Sequence, residues 1–267
     1  MQNITNIIKT ETIGIFDSGI GGLSVLNALK HFPFKKIIYV ADTAHLPYGE
    51  KSVEFLQERA IVIVDLLKSQ GIKTVVIACH TSSTTTLELL KTRYPDMHFI
   101  DMLAPTITAA LGSTRTKKVG VIATHRTIAT GHHKQELLTL NTQVTVFEQA
   151  CPQFVPLLEN NGQLTEIKSA INEYVSPLMQ HNIDTLILGC THYAFLKKLI
   201  QEHAPKLKLI SAADCVESMV RLAPHDATQS IKQTELSFFV SGSLPAFKNS
   251  LDLFFEGEID GLVCNKF

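Results

Sequence analysis

No stretch of this 267-residue chain comes near the run of about 18 apolar residues that crosses a bilayer, which excludes a helical membrane span. Charge of one sign is equally absent. With 24 Lys and Arg against 25 Asp and Glu, the net charge is -1, which offers no electrostatic reason to expect nucleic acid or an anionic membrane as a partner. Cysteine is sparse. The five residues, at 79, 151, 190, 215 and 264, are widely spread and show no C-x-x-C spacing, which argues against a disulfide framework and leaves the thiols available for chemistry. The opening Met1-Gln2-Asn3-Ile4-Thr5-Asn6 lacks the basic segment and apolar stretch of a secretory signal, so the cytoplasm is the expected compartment. Low-complexity stretches and long linkers are also missing.

Strand and helix patterns alternate through almost the whole length. Apolar runs at Ile13–Phe16, Ile37–Ala41, Val75–Ile77, Val119–Ala123, Val144–Phe147, Leu186–Leu188, Leu209–Ile210 and Leu236–Val240 read as strands. Between them, Leu23, Leu26 and Leu29, then Leu56, Ala60, Ile63 and Leu67, then Leu164, Ile167, Ile171, Tyr174 and Leu178, recur at helical spacing. Gly71 reads as a helix stop, residues 84–94 as a helix ended by Pro95, and residues 214–222 as another helix. Pro177 is expected to kink or shorten its helix. This alternation predicts an α/β fold with mainly parallel sheets, and the length and a 45% hydrophobic content suit two domains.

One segment occurs twice. Thr74-Val75-Val76-Ile77-Ala78-Cys79-His80-Thr81 and Thr185-Leu186-Ile187-Leu188-Gly189-Cys190-Thr191-His192 lie 111 residues apart, each ending an apolar run on a cysteine followed by His and Thr in opposite orders. Such a repeat predicts two related halves, each delivering one thiol from a strand end. The carboxyl ends of parallel strands line ligand crevices, so two facing halves put a thiol on either side of one small substrate. Two opposed thiols suit a carbon acid that loses a proton on one face and regains it on the other, which makes the reaction a racemisation or epimerisation next to a carboxylate. His192, two residues after Cys190, is placed to take up that proton. Asp17, in the Asp17-Ser18-Gly19-Ile20-Gly21-Gly22 turn, is placed to do the same near Cys79.

Four motifs resemble glutamate racemases, in the expected order over nearly the whole chain. They are Gly14-Ile15-Phe16-Asp17-Ser18-Gly19-Ile20-Gly21-Gly22-Leu23-Ser24-Val25; Ala41-Asp42-Thr43 with Pro47-Tyr48-Gly49-Glu50-Lys51-Ser52; Ala150-Cys151-Pro152 with Phe154-Val155-Pro156-Leu157; and Leu188-Gly189-Cys190-Thr191-His192-Tyr193. The resemblance implies interconversion of L- and D-glutamate without cofactor or metal, for peptidoglycan supply. Cys79 and Cys190 are then the acid/base pair, with Asp17 and His192 as helpers. Ser18, Tyr48, Gly49, His80, Thr81, Thr124, Thr127, Glu159 and Thr191 are implied as substrate-binding positions. It further implies two similar pseudo-symmetric domains, residues 1–105 plus 218–267 and residues 106–217, with the site in the cleft between them. A homodimer is an open expectation.

The chain departs from the family pattern at one point. Where the family has Cys-Asn-Thr-Ala-Ser, this chain has Cys79-His80-Thr81-Ser82-Ser83. A titratable imidazole replaces a neutral amide, which keeps three alternatives open: a racemase of another acidic amino acid such as aspartate, a non-catalytic glutamate-binding protein, and a zinc hydrolase using Cys79, His80, Cys190 and His192. Plainer roles also stand beside the sharp ones. Asp17 and Ser18 serve as helix caps, as do Thr124 and Thr127. Tyr48-Gly49 forms a turn, Glu159 is a surface carboxylate, and Cys151, Cys215 and Cys264 are small buried hydrophobes. His192 is then a satisfied structural histidine, and His125, His132 and His133 face solvent.

Overall fold

The structure, a computed structural model, describes residues 12–30, 32, 34–221, 234–255, 257, 259–264 and 267. It contains two sheets whose strand pairs are all parallel. Strands β1 (Thr12–Asp17), β2 (Lys36–Ala41), β3 (Thr74–Ile77), β4 (His98–Ile100), β9 (Glu235–Val240) and β10 (Gly261–Cys264) form the first, in the order β10-β9-β2-β1-β3-β4. Strands β5 (Lys118–Ala123), β6 (Thr145–Ala150), β7 (Thr185–Gly189) and β8 (Lys208–Ser211) form the second, in the order β6-β5-β7-β8. The 2-1-3-4 order of the first sheet is thus repeated as 6-5-7-8 in the second. Each cysteine-bearing strand occupies the same place in its sheet, one step past the reversal of strand order where α/β sheets bind ligands. The α/β class and the pairing of related halves follow the reading of the sequence.

Each sheet is covered by helices on both faces, which is why its central strands read as continuous apolar runs rather than alternating ones. Helix α1 (Leu23–Leu29) packs with α11 (Leu244–Phe254) on one face of the first sheet, and α2 (Val53–Ser69) with α3 (His80–Arg93) on the other. The second sheet is covered by α7 (Phe154–Glu159), α8 (Leu164–Met179) and α9 (Lys197–His203) on one face. On the other lie α4 (Leu103–Ser113), α5 (His125–Thr130) and α6 (His132–Leu140). Helix α10 (Ala212–Arg221) joins the two bodies, with Val216 in a core of the first sheet and Cys215 in a core of the second. Residue 222, expected at its end, lies outside the described residues, as does the side chain of Cys264.

Local chemistry sets the boundaries. Ser52 accepts a hydrogen bond from the Phe55 N–H and caps α2, and Gly71, at φ 78°, follows that helix in the left-handed region that glycine tolerates. Three expectations change. Helix α3 starts at His80 rather than near residue 84: Cys79 is its N-cap, and the Ser83 N–H already donates to the Cys79 carbonyl at 2.8 Å, so no loop separates the cysteine from the helix. Pro177 does not cut α8 short: the helix runs to Met179, with the proline inside its last turn. His133 is fully buried in the first turn of α6 rather than solvent-facing, because α6 packs that face against the strand end that carries Cys190.

Candidate active site

Cys79 and Cys190 line one cavity between the two sheets, together with Ser18, Tyr48, Gly49, Thr81, Thr124, Thr191 and His192. The centres of water-sized spheres can occupy about 30 Å³ of it, more than the roughly 10–15 Å³ that one ordered water needs. Both cysteines are nearly buried; Cys190 directly follows β7 and Cys79 lies two residues past β3. Strand register brings the parts together, because Phe16 pairs with Ile77 and Ala123 with Gly189, so the Asp17 turn ends beside Cys79 and Thr124 beside Cys190.

The two thiols differ in their surroundings. Burial, reinforced by the negative field of Asp17, pushes Cys79 up to about 12. Cys190 has a base: its Sγ lies 3.8 Å from His192 Nδ1, and the opposite nitrogen, Nε2, is 2.6 Å from Glu159 Oε1. Burial alone would lower the His192 pKa, yet hydrogen bonds to Cys190 and Glu159 overcome it and hold the imidazole well above its ordinary range. Glu159, Nε2, Nδ1 and sulfur therefore form a linear relay. Glu159 also accepts from the Ile20 N–H, which ties α7 of the second half to the turn of the first.

Asp17 is fully buried, and burial raises its pKa although His192 pulls the other way. Its Oδ1 accepts from the Gly19 N–H and its Oδ2 from the Thr191 hydroxyl at 3.0 Å, so this carboxylate reaches across to the Cys190 half. It does not cap α1, whose N-cap is Gly22 without a side-chain bond. A Cβ on Gly21 would fall on His192 Nδ1 and Thr191 Oγ1, and one on Gly49 would lie 2.8 Å from Thr124 Cβ. Only glycine allows these cross-half approaches.

Thr81, Thr124 and Thr127 close a triangle of hydroxyls with edges of 3.0, 3.1 and 3.0 Å. Thr124 is at once the N-cap of α5 and a wall of the cavity, while Thr127 supports it from behind. Elsewhere in the lining, the Tyr48 hydroxyl donates to Asp42 at 2.5 Å, and Asp42 also accepts from Arg59, His45 and Ser241. Asp42 is fully buried; burial favours its protonated form, but Arg59 and the other donors win and hold its carboxyl below the usual range.

His80, expected among the substrate contacts, does not line the cavity. Its ring turns away and stacks on His133. Thr127, Glu159 and Asp17 likewise stand behind the lining residues rather than among them. Pro47, Glu50, His125, Cys151, Pro152, Val155 and Pro156 do line it and were missed, although the Cys151-Pro152 and Val155-Pro156 pairs lie in a motif already singled out. Among the described residues no group of three or more His, Cys, Asp or Glu is arranged to hold a metal ion.

The Asp/Glu/hydantoin racemase family profile matches residues 25–223. A glutamate racemase of Desulforudis audaxviator is 39% identical, the match covering 89% of this chain and 91% of that protein. Among solved structures, a glutamate racemase of Bacillus anthracis superposes with a TM-score of 0.86 at 30% identity, over 95% of this chain and 97% of that one. The enzyme of Francisella tularensis, in complex with D-glutamate, gives a TM-score of 0.84 at 29% identity over the same shares of the two chains. With this match along nearly its full length and two thiols facing one cavity, the chain belongs to the Asp/Glu/hydantoin racemase family and, within it, to the glutamate racemases.

Proposed function

We propose that the chain interconverts L- and D-glutamate by two-base proton transfer at Cys79 and Cys190, supplying D-glutamate for peptidoglycan. The observation that carries this reading is the pair of nearly buried cysteines lining one cavity from the equivalent strand ends of two sheets. In either direction one thiolate takes the α-hydrogen from one face as a proton, leaving a planar carbanion. The opposite thiol then gives its proton to the other face. One S–H and one C–H bond form as one of each breaks, with no net redox change.

His192 and Glu159 hold the proton that lets Cys190 alternate between thiol and thiolate. Asp17 serves Cys79 and orients Thr191. The hydroxyls of Thr81 and Thr124, backed by Thr127, face one carboxylate of the substrate, and Ser18, Tyr48, Gly49 and Thr191 complete the binding wall. His80 takes part from behind, through Thr81. We divide the chain into one domain of residues 1–105 plus 218–267 and a second of residues 106–217, with α10 as their connection, and place the protein in the cytoplasm as a homodimer. No helix among the described residues is long and apolar enough to cross a membrane.

The test is incubation of the purified protein with L-glutamate in deuterated buffer, followed by chirality and α-proton signal. Racemisation with α-exchange supports the reading. Binding without exchange, or faster turnover of L-aspartate than of L-glutamate, overturns it. Sedimentation of the purified chain tests the dimer.

A further inference from the structure

Behind the thiols lies a pair of imidazoles that the relay does not use. His80 follows Cys79 and opens α3. His133 lies in the first turn of α6, where its Nε2 would sit 3.4 Å from a Cβ built on Gly189, the residue before Cys190. The two rings are 1% and 0% exposed and stack at 5.5 Å between centroids with 27° between planes. Among the described residues, none of the four ring nitrogens has a hydrogen-bond partner. The charges each ring feels come from other histidines: His80 from His133, and His133 from His132. With no facing carboxylate, burial keeps both rings neutral.

A side chain at position 80 has two places to go. It can enter the cavity beside Cys79 and Thr81, or turn back towards α6. An imidazole that entered would stand in the cavity beside Cys79 and Thr81, where the substrate must bind. The structure has it turned back, and the surface it rests on is the face of one ring from the other half of the chain. Because His80 is the first residue of α3, its placement also fixes its neighbour Thr81, whose hydroxyl must meet Thr124 and Thr127.

We propose that His133 is a positioning residue: by stacking on His80 it holds that imidazole out of the substrate cavity and sets the Thr81 hydroxyl in the threonine triangle. The idea rests on reading the cavity as the glutamate site, and it explains how a chain with His after the first cysteine keeps that site open. Stacking, rather than a nitrogen, does the holding, since no nitrogen of either ring is engaged.

The experiment is a double-mutant cycle with a conservative control, read by steady-state kinetics in both directions and by NMR of the His80 ring. His133→Ala is expected to raise KM for both enantiomers roughly three- to tenfold, the effect of losing one aromatic contact, with kcat less affected. His133→Phe, which keeps a ring face, is expected to stay within about twofold of the parent. In a His80→Asn background, His133→Ala is expected to add nothing, so the cycle is non-additive. In His133→Ala the freed His80 ring should titrate closer to its ordinary range than in the parent. Where the alanine variant does not fold, His133→Leu takes its place, having similar bulk without a ring face.

Independent, multiplicative effects in the cycle overturn the proposal. So does His133→Phe behaving like His133→Ala, or a His80 titration unmoved by loss of the partner ring. Failure of the parent protein to racemise glutamate refutes the functional reading instead, and the NMR titration reports on the ring pair without turnover.

Discussion

The buried ring pair gives stability an acid dependence that can be worked out in advance. Burial, with a smaller push from His132, holds His133 down at about 4, against 6.5 for an ordinary histidine. Above about pH 6.5 the residue is neutral whether the chain is folded or not, and no penalty exists. Below that, the unfolded chain takes up a proton that the folded chain refuses, so stability falls with falling pH until about 4, where the folded state is protonated too. At about 1.4 kcal/mol per pH unit, the loss from His133 alone amounts to roughly 3 kcal/mol. His80 is also held well below its ordinary range and acts in the same direction. Asp17, whose pKa is raised by burial, acts the opposite way. The assay is therefore a comparison of urea unfolding at pH 7.5, 6, 5 and 4 for the parent and His133→Phe, which share every carboxylate. The parent should lose about 3 kcal/mol more than the variant over that range. Parallel curves would refute the view that these rings are neutral, buried and without an anionic partner.

Three other outcomes are expected. Cys79→Ser and Cys190→Ser should each abolish racemisation, because neither face then has a competent base or acid; near-parental turnover by both variants in a chiral assay would sink the two-base scheme. Glu159→Gln removes the charge beside His192 Nε2, so the high-pH limb of kcat should move to lower pH and kcat fall about tenfold, checked by a pH–rate profile. Asp42→Ala leaves Arg59, Tyr48 and Ser241 without their shared acceptor and should cost about 3–5 kcal/mol in urea unfolding; a loss below about 1 kcal/mol would mean that the network is held by something else.

The strands that carry chemistry could be read from the sequence because they are short apolar runs ending in a polar cluster, and nothing else in the chain looks like Val75–Cys79 or Leu186–Cys190. The helix after Cys79 was legible only from residue 84. His80-Thr81-Ser82-Ser83-Thr84-Thr85-Thr86 has no apolar period, and its first turn is buried by packing against the rest of the fold, which no propensity reports. Strand β10 went unread, as did α5 and α6, a polar pair of helices separated by Gly131 at φ 65°. His133 illustrates the limit of local reading. Its neighbours His132, Lys134 and Gln135 look like a surface, and what buries it is His80 and the approach to Gly189, contributed by distant parts of the chain. Glu159 is similar: its separation of 33 positions from His192 hides the relay until the fold closes them together.

The cavity between the thiols also bears on the enzyme's clock. The cavity is lined from both halves, by Ser18 and Cys79 of one and by Thr124 and Cys190 of the other, so any parting of the halves that widens it for substrate acts on the bonds between them. Those bonds are Thr191 to Asp17, Ile20 to Glu159, Ser24 to the Thr191 carbonyl, Thr81 to Thr124, and Arg126 to the Lys51 carbonyl. Two of these join the proton-relay residues Asp17 and Glu159 to the opposite half, so the parting that admits substrate also takes the relay apart. Breathing and chemistry are then mutually exclusive in time, and the rate of turnover should slow as solvent friction is raised with glycerol or sucrose.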